Sequence, residues 1–324
     1  MRIRHAAALA LAAGLIVAAC GSDDDDSSTV DAPDVVAGET FPAERCAANE
    51  AAGPVTFLTG FDYAAAASII EVIVAEDRGY YDELCLDVEI QPSFSTANYA
   101  LIAENDAQFS SGGSFSEVVE FAANNDAEFV ALAVDGRAPI DVLMVKPGET
   151  SSLADLEGST IGVKGKLPTS IEVMLARQGL TEGESFDTVA VEGFDPVAHM
   201  AIGAIVGVPG WRSNEPGALE RAGVAFDLYD TVEFDIPGSF GIVYTNRQFI
   251  DEHPTAAEDF MRATARGLAD AIADPEAAAN IAVELINAGG NPNFLSPEGE
   301  VFRWATDAAL ITELTPEGVG FGVP

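Results

Sequence analysis

Lys164 and Lys166 are two of only three lysines in the chain, and they stand just ahead of Thr169 and Ser170 at a predicted helix start. Cations and hydroxyls at such a place suit a carboxylate, sulfonate or phosphate. Two solvated surface lysines are the plainer alternative. Further on, Trp211, Asn214 and Glu215 follow an apolar run. An indole offers a flat stacking plate, and a carboxylate beside it can accept N–H bonds from an amino-heterocycle. Alternatively, Glu215-Pro216 opens the next helix, where proline suits the first turn. Phe61, Asp62 and Tyr63 follow the first predicted strand, where the rings either stack on a planar ligand or cap the core. In Ser110–Ser114, Ser111 and Gly112 let backbone N–H groups approach a polar ligand, or else simply form a tight capped turn. Phe94 and Ser95 after the second strand, and Phe240 with Tyr244 further on, complete the set.

These residue types bind rather than react. No nucleophile is paired with a base, Gly-x-Ser-x-Gly and a phosphate-loop lysine are absent, and no His/Cys group has metal-ligand spacing. His199 on an apolar helical face reads as a satisfied core or surface histidine, and His253 before Pro254 as an exposed one. The expectation is a binding protein without metal or cofactor. A hydrolase using some of the 53 acidic residues is the alternative.

The elements that position these residues alternate. Strands are predicted at 54–59, 86–90, 107–110, 128–134, 141–145, 159–163, 188–191, 203–208 and 240–245. Helices are predicted at 64–78, 96–105, 116–124, 170–178, 197–202, 255–273, 275–288 and 301–311. The order is that of an α/β protein. Pro139 and Ile236-Pro237-Gly238 mark two crossings. Residues 53–138 with 239–324 then form one lobe, and 139–238 a second. Each lobe is expected to hold an open, mostly parallel sheet flanked by helices, with the carboxyl ends of the strands facing one cleft.

Four stretches carry a family resemblance: Ala75-Glu76-Asp77-Arg78-Gly79-Tyr80-Tyr81-Asp82 before Leu86-Asp87-Val88-Glu89; residues 107–112; Ser152 to Val163; and residues 204–207 with Ser213-Asn214-Glu215-Pro216 to Gly223. In this order they resemble the type II periplasmic substrate-binding proteins of ABC importers, in the branch serving nitrate, sulfonate, taurine, thiamine-pyrimidine and riboflavin-like compounds. The resemblance implies two hinged lobes that close on a small molecule and present it to a membrane permease. It implies a heteroaromatic vitamin precursor, such as a thiamine pyrimidine or flavin, or a sulfonate- or nitrate-type anion. Gly60-Phe61-Asp62-Tyr63 lacks the Trp, Pro, Asn and His that thiamine-pyrimidine binders often show at that turn. A lipid-anchored sensor without transport and a pyrimidine-synthase-like enzyme are the alternatives, although the latter looks to need a histidine and a cysteine-rich iron motif that this chain lacks.

The N-terminus reads as an address. Arg2, Arg4 and His5 precede the apolar run 6–19, which is too short to span a membrane, so 1–20 is expected to be a secretory signal. Val17-Ala18-Ala19-Cys20-Gly21 resembles a lipobox, with Cys20 as the lipidated residue. The acidic stretch that follows reads as a flexible tether over 21–52. The protein is thus expected outside the cell, anchored by lipid to the outer face of the cytoplasmic membrane, and monomeric. In that oxidising setting Cys46 and Cys85, each just ahead of a predicted strand, form a disulfide or remain two buried thiols.

Composition agrees. The chain has 324 residues, 48% of them hydrophobic, enough for a core larger than one typical domain. Asp and Glu number 53 against 15 Lys and Arg, a net charge of -38 that excludes nucleic acid as a partner. The same charge is repelled by an anionic membrane surface, so any membrane attachment is expected to be through lipid or protein.

Overall fold

The computed structural model describes residues 33–36, 38–289 and 296–315. The signal-like segment, Cys20 and the acidic run after it lie outside the described residues. In chain order the elements begin with α1 (Ala43–Glu50), β1 (Pro54–Leu58), α2 (Ile70–Asp77), β2 (Asp87–Gln91), α3 (Ser95–Ala103), β3 (Phe109–Gly112), α4 (Phe115–Asn125) and β4 (Phe129–Gly136). Then come β5 (Asp141–Val145), β6 (Thr160–Val163), α5 (Thr169–Ala176), β7 (Asp187–Ala190), α6 (Pro196–Met200), β8 (Gly207–Trp211), α7 (Glu215–Arg221) and β9 (Asp227–Asp230). The chain continues through β10 (Phe240–Asn246), α8 (Arg247–Glu252), α9 (Pro254–Ala273), α10 (Pro275–Gly289) and α11 (Pro297–Leu314).

The strands form two five-stranded sheets, in the orders β2-β1-β3-β10-β4 and β7-β6-β8-β5-β9. Both are mixed rather than mostly parallel. β10 runs antiparallel to β3 and β4, and β5 antiparallel to β8 and β9. The reason is topological. β5 and β10 are the first strands laid down after the chain passes from one sheet to the other. Each begins at the edge where the other strands end, so it must run away from it.

The first half is held by an aromatic stack in which Phe109 lies 3.9 Å from Phe260 and Tyr81 5.1 Å from it, centroid to centroid. Helices α2 and α9 touch at Gly267, where a Cβ would stand 2.1 Å from the Glu71 carbonyl oxygen, so no larger residue fits. Trp304 on α11 is fully buried and donates its indole N–H to Ala271 O at 2.9 Å. In the second half, Leu143, Val145, Ile161, Ile171 and Met174 fill the space between the sheet and α5. No helix among the described residues is long and apolar enough to cross a membrane.

Three expectations need correction. The stretch read as the end of a tether contains α1, which is firmly docked. Arg45 donates to both oxygens of the fully buried Asp259, at 2.6 and 3.0 Å, and Asn49 Nδ2 donates to the same carboxylate at 2.8 Å. A buried carboxylate needs such partners, so it fixes the helix that supplies them. The Cys46–Cys85 disulfide, with Cα atoms 5.2 Å apart, adds a covalent tie to the segment before β2. Second, the helix expected over 64–78 starts only at Ile70, because Ser68 adopts φ 61 and breaks the helical run. Third, the strand expected over 203–208 lies at Gly207–Trp211, which places Trp211 at its end rather than in the loop beyond. At Gly207 the strand passes so near β5 that a Cβ would lie 2.1 Å from Met144 O.

Candidate functional site

A cleft of about 1260 Å³ opens where the carboxyl ends of β1, β3, β6 and β8 meet the starts of β5 and β10. Its apolar lining comes from small residues such as Gly60, Ala64, Ala66 and Ala67 on one side, and Ile140, Val173, Pro209 and Pro237 on the other. Aromatic rings reach into it from both halves. Phe61 packs edge-on against Phe94, 5.5 Å away, and against Phe194 of the second half, 5.4 Å away. Phe194 is 46% and Trp211 38% exposed, a large apolar area left uncovered by the protein itself. Trp211 leans across to Gly113, where a Cβ would lie 3.3 Å from the indole Cζ2. Gly113, just after β3, thus makes room for a ring from the opposite wall, a steric task distinct from the anion-binding turn that its sequence suggests.

The polar groups are organised around carboxylates. On the second wall Lys164 Nζ meets Glu215 Oε1 at 2.6 Å, while Glu215 Oε2 accepts the Trp211 backbone N–H at 2.8 Å. Lys166 meets Glu120 of α4 at 2.6 Å, an exposed pair joining the two halves. Asp141, first residue of β5, accepts from Ser170 Oγ at 2.5 Å. Burial, with added repulsion from Glu117 and Glu215, pushes the Asp141 carboxyl up to about 6, against the opposing bond from Ser170.

On the first wall the loop after β1 is held from beneath. Glu300 and Asp307 of α11 accept the backbone N–H groups of Ala65 and Ala67 at 2.9 and 3.1 Å, and Asp135 of β4 accepts that of Ser68. Glu71 adjoins Asp135 in the same buried layer. Burial is the main cause that pushes Asp135 to about 7, Asp307 to about 6 and Glu71 well above the carboxylate range. Arg303, buried on α11, donates to Glu300 at 3.4 Å and reaches across to Asn214 Oδ1 at 2.9 Å. Next to it, the Phe302 ring lies over Gly217 of α7, where a Cβ would come within 2.4 Å. Helix α11 therefore belongs to the core of the first half and also touches the second.

Of the residues singled out in the sequence, Phe61, Ser95, Ser111, Gly112, Lys164, Lys166, Thr169, Trp211, Asn214 and Glu215 line the cleft. Four do not. Asp62 sits at φ 49 with Oδ1 accepting the Tyr63 N–H, and Tyr63 packs on the core with its hydroxyl 3.5 Å from Ile90 O. Phe94 is in contact with Phe61, itself a lining residue. Phe240 is only 2% exposed, its ring filling the place of a Cβ at Gly136, so it is a core residue. His199 is buried and its Nε2 bonds Glu192 O at 2.8 Å, the structural role expected of it. Ser170, named in the sequence beside Thr169, also lines the cleft, whereas Asp141, Phe194 and Arg303 were missed as cleft residues. Asp141 and Phe194 carry a detectable signal, being a charge and an exposed ring at strand-to-loop junctions. Arg303 carries none, since only the fold brings α11 to Asn214.

Residues 66–278 match the sequence model of a family described as NMT1/THI5 like. The chain is 29% identical over 153 residues to the riboflavin-binding protein RibY of Chloroflexus aurantiacus, a match covering 46% of this chain and 43% of that protein. It thus spans less than half the length of that relative. Among solved structures, the periplasmic aliphatic sulphonate binding protein SsuA of Escherichia coli superposes with a TM-score of 0.60 at 12% identity, over 81% of this chain and 85% of that one. The alkanesulfonate-binding protein SsuA of Xanthomonas axonopodis, bound to MOPS, gives 0.56 at 14% identity, over 78% and 83%. At such identities the likeness is one of fold.

Proposed function

Since this chain belongs to the NMT1/THI5-like family, we propose that it is the substrate-binding component of an ABC-type importer and captures a flat heteroaromatic metabolite between its two halves. The observation that carries this reading is the cleft of about 1260 Å³, with aromatic rings on both walls and two chain crossings behind it. The volume exceeds that of most small-molecule pockets, room for a ligand of several rings. Phe61 contributes from one half, Phe194 and Trp211 from the other, so a ring system placed there touches both. A ligand that contacts both walls has more affinity for the closed arrangement than the open one, and that difference drives closure. The likeness to a riboflavin-binding protein supports a vitamin-type heterocycle. In this reading Cys20 carries a lipid, the protein works outside the cell, and a permease receives the closed form from a monomer.

The test is gentle purification of the full chain, mass spectrometry of whatever small molecule it retains, and calorimetry of that compound with the stripped protein. A retained heterocycle that rebinds stoichiometrically and compacts the protein in small-angle scattering is the expected result. A protein that converts the compound into a product, or whose scattering is unchanged when it binds, overturns the reading.

A further inference from the structure

The charges around the cleft are unevenly matched. Each of its three cations is already held by a carboxylate of the same chain: Lys164 by Glu215 at 2.6 Å, Lys166 by Glu120 at 2.6 Å and Arg303 by Glu300 at 3.4 Å. Two further lining carboxylates, Glu117 and Asp141, have no cation among the described ion pairs. An incoming oxyanion would have to take Lys164 from Glu215, leaving that nearly buried carboxylate uncompensated. It would also approach a chain of net charge -38. Donors meet the opposite situation. Among the described hydrogen bonds, Ser170 is the one side chain that donates to the Asp141 carboxylate, which faces the same cavity as the exposed rings of Phe194 and Trp211.

Resting on the reading of the cleft as a ligand site, we infer that it selects against compact anions and takes an uncharged or cationic ring system bearing N–H donors, with Asp141 as the specificity-determining anchor. The aromatic walls supply affinity for any flat molecule, and the carboxylate decides among flat molecules. A carboxylate acceptor gives a stronger bond than a neutral one, and leaving it unmatched in a desolvated cleft is costly. The reading also sets this cleft apart from one in which an unpaired cation meets a sulfonate.

The test uses the full chain and four probes: riboflavin, whose uncharged isoalloxazine has one ring N–H; 3-methylriboflavin, which lacks it; ethanesulfonate; and nitrate. Flavin fluorescence and calorimetry give the affinities. Riboflavin is expected to bind, with 3-methylriboflavin weaker by roughly ten- to hundred-fold and the two anions without measurable heat. Asp141→Asn is expected to remove most of the discrimination between the two flavins, with an unchanged melting curve showing that the fold persists. The methylated probe needs no variant, so the inference stays testable if Asp141→Asn misfolds. Equal affinity for both flavins, or tight binding of ethanesulfonate or nitrate, overturns the inference and leaves the binding-protein reading standing. A chain that binds none of the four and retains no metabolite counts against both.

Discussion

On the first wall of the cleft, buried carboxyls of α11 and β4 hold the backbone of Ala65, Ala67 and Ser68, whereas on the second wall carboxylates hold lysine side chains near the surface. The chemistry is the same and the environment differs. The first layer is buried, so desolvation pushes Asp135, Asp307 and Glu71 toward their neutral form, and the layer acts as a set of fixed hydrogen-bond partners. On the second wall solvent screens the exposed Lys166–Glu120 pair, while Lys164 with the nearly buried Glu215 faces the cleft, so these pairs set the charge that a ligand meets. Structure on one side and selection on the other are thus carried by one type of residue.

The largest break in this contrast is expected from Glu300→Ala. It strips Arg303 of its carboxylate and Ala65 of its acceptor in a buried site, at a cost of about 3–5 kcal/mol in urea unfolding. A loss below about 1 kcal/mol would show that the layer is wet and the contrast false.

Next comes pH. Asp135, Asp307 and Glu71 are raised in the folded protein, which therefore keeps protons that the unfolded chain has already released. Their contribution to stability is complete below the ordinary carboxylate range and is lost as pH rises through about 6 for Asp307 and about 7 for Asp135. Each extra proton held is worth about 1.4 kcal/mol per pH unit in that window. Asp135→Asn is expected to flatten the fall in unfolding free energy between these values. An equally steep fall in the variant would place the titration elsewhere.

A smaller effect belongs to the second wall. Trp211→Ala is expected to weaken binding of the retained heterocycle by about 1–3 kcal/mol while leaving the melting temperature nearly unchanged, since the ring is 38% exposed. The smallest is Lys166→Ala. Its pair with Glu120 is more than half exposed on both sides, so stability and affinity should shift by under about 1 kcal/mol and lose even that in high salt.

Much of the scaffold can be read from the chain alone. Alternating apolar runs and helical stretches give the α/β class and most strands. Two cysteines ahead of neighbouring strands give the disulfide that is found. The elements that escaped are those whose residues answer to distant partners. The run of alanines at 64–67 has helical propensity, yet Glu300 and Asp307, over two hundred residues away, capture its N–H groups. Helix α1 has no strong local signal and exists because Asp259 requires Arg45 and Asn49. Lys164 and Glu215 each stand out in the sequence as ligand-binding candidates, but their bond to one another does not.

What is local was written in the amino-acid order: the succession of elements, the aromatic and charged residues at the ends of strands, and an acid-rich surface. Folding in three dimensions selected which of those charges remain available. A lysine's capacity to receive an anion depends on whether a carboxylate already stands at 2.6 Å. Coulomb interaction falls with distance and strengthens with burial, and both are properties of spatial placement that no spacing along the chain records.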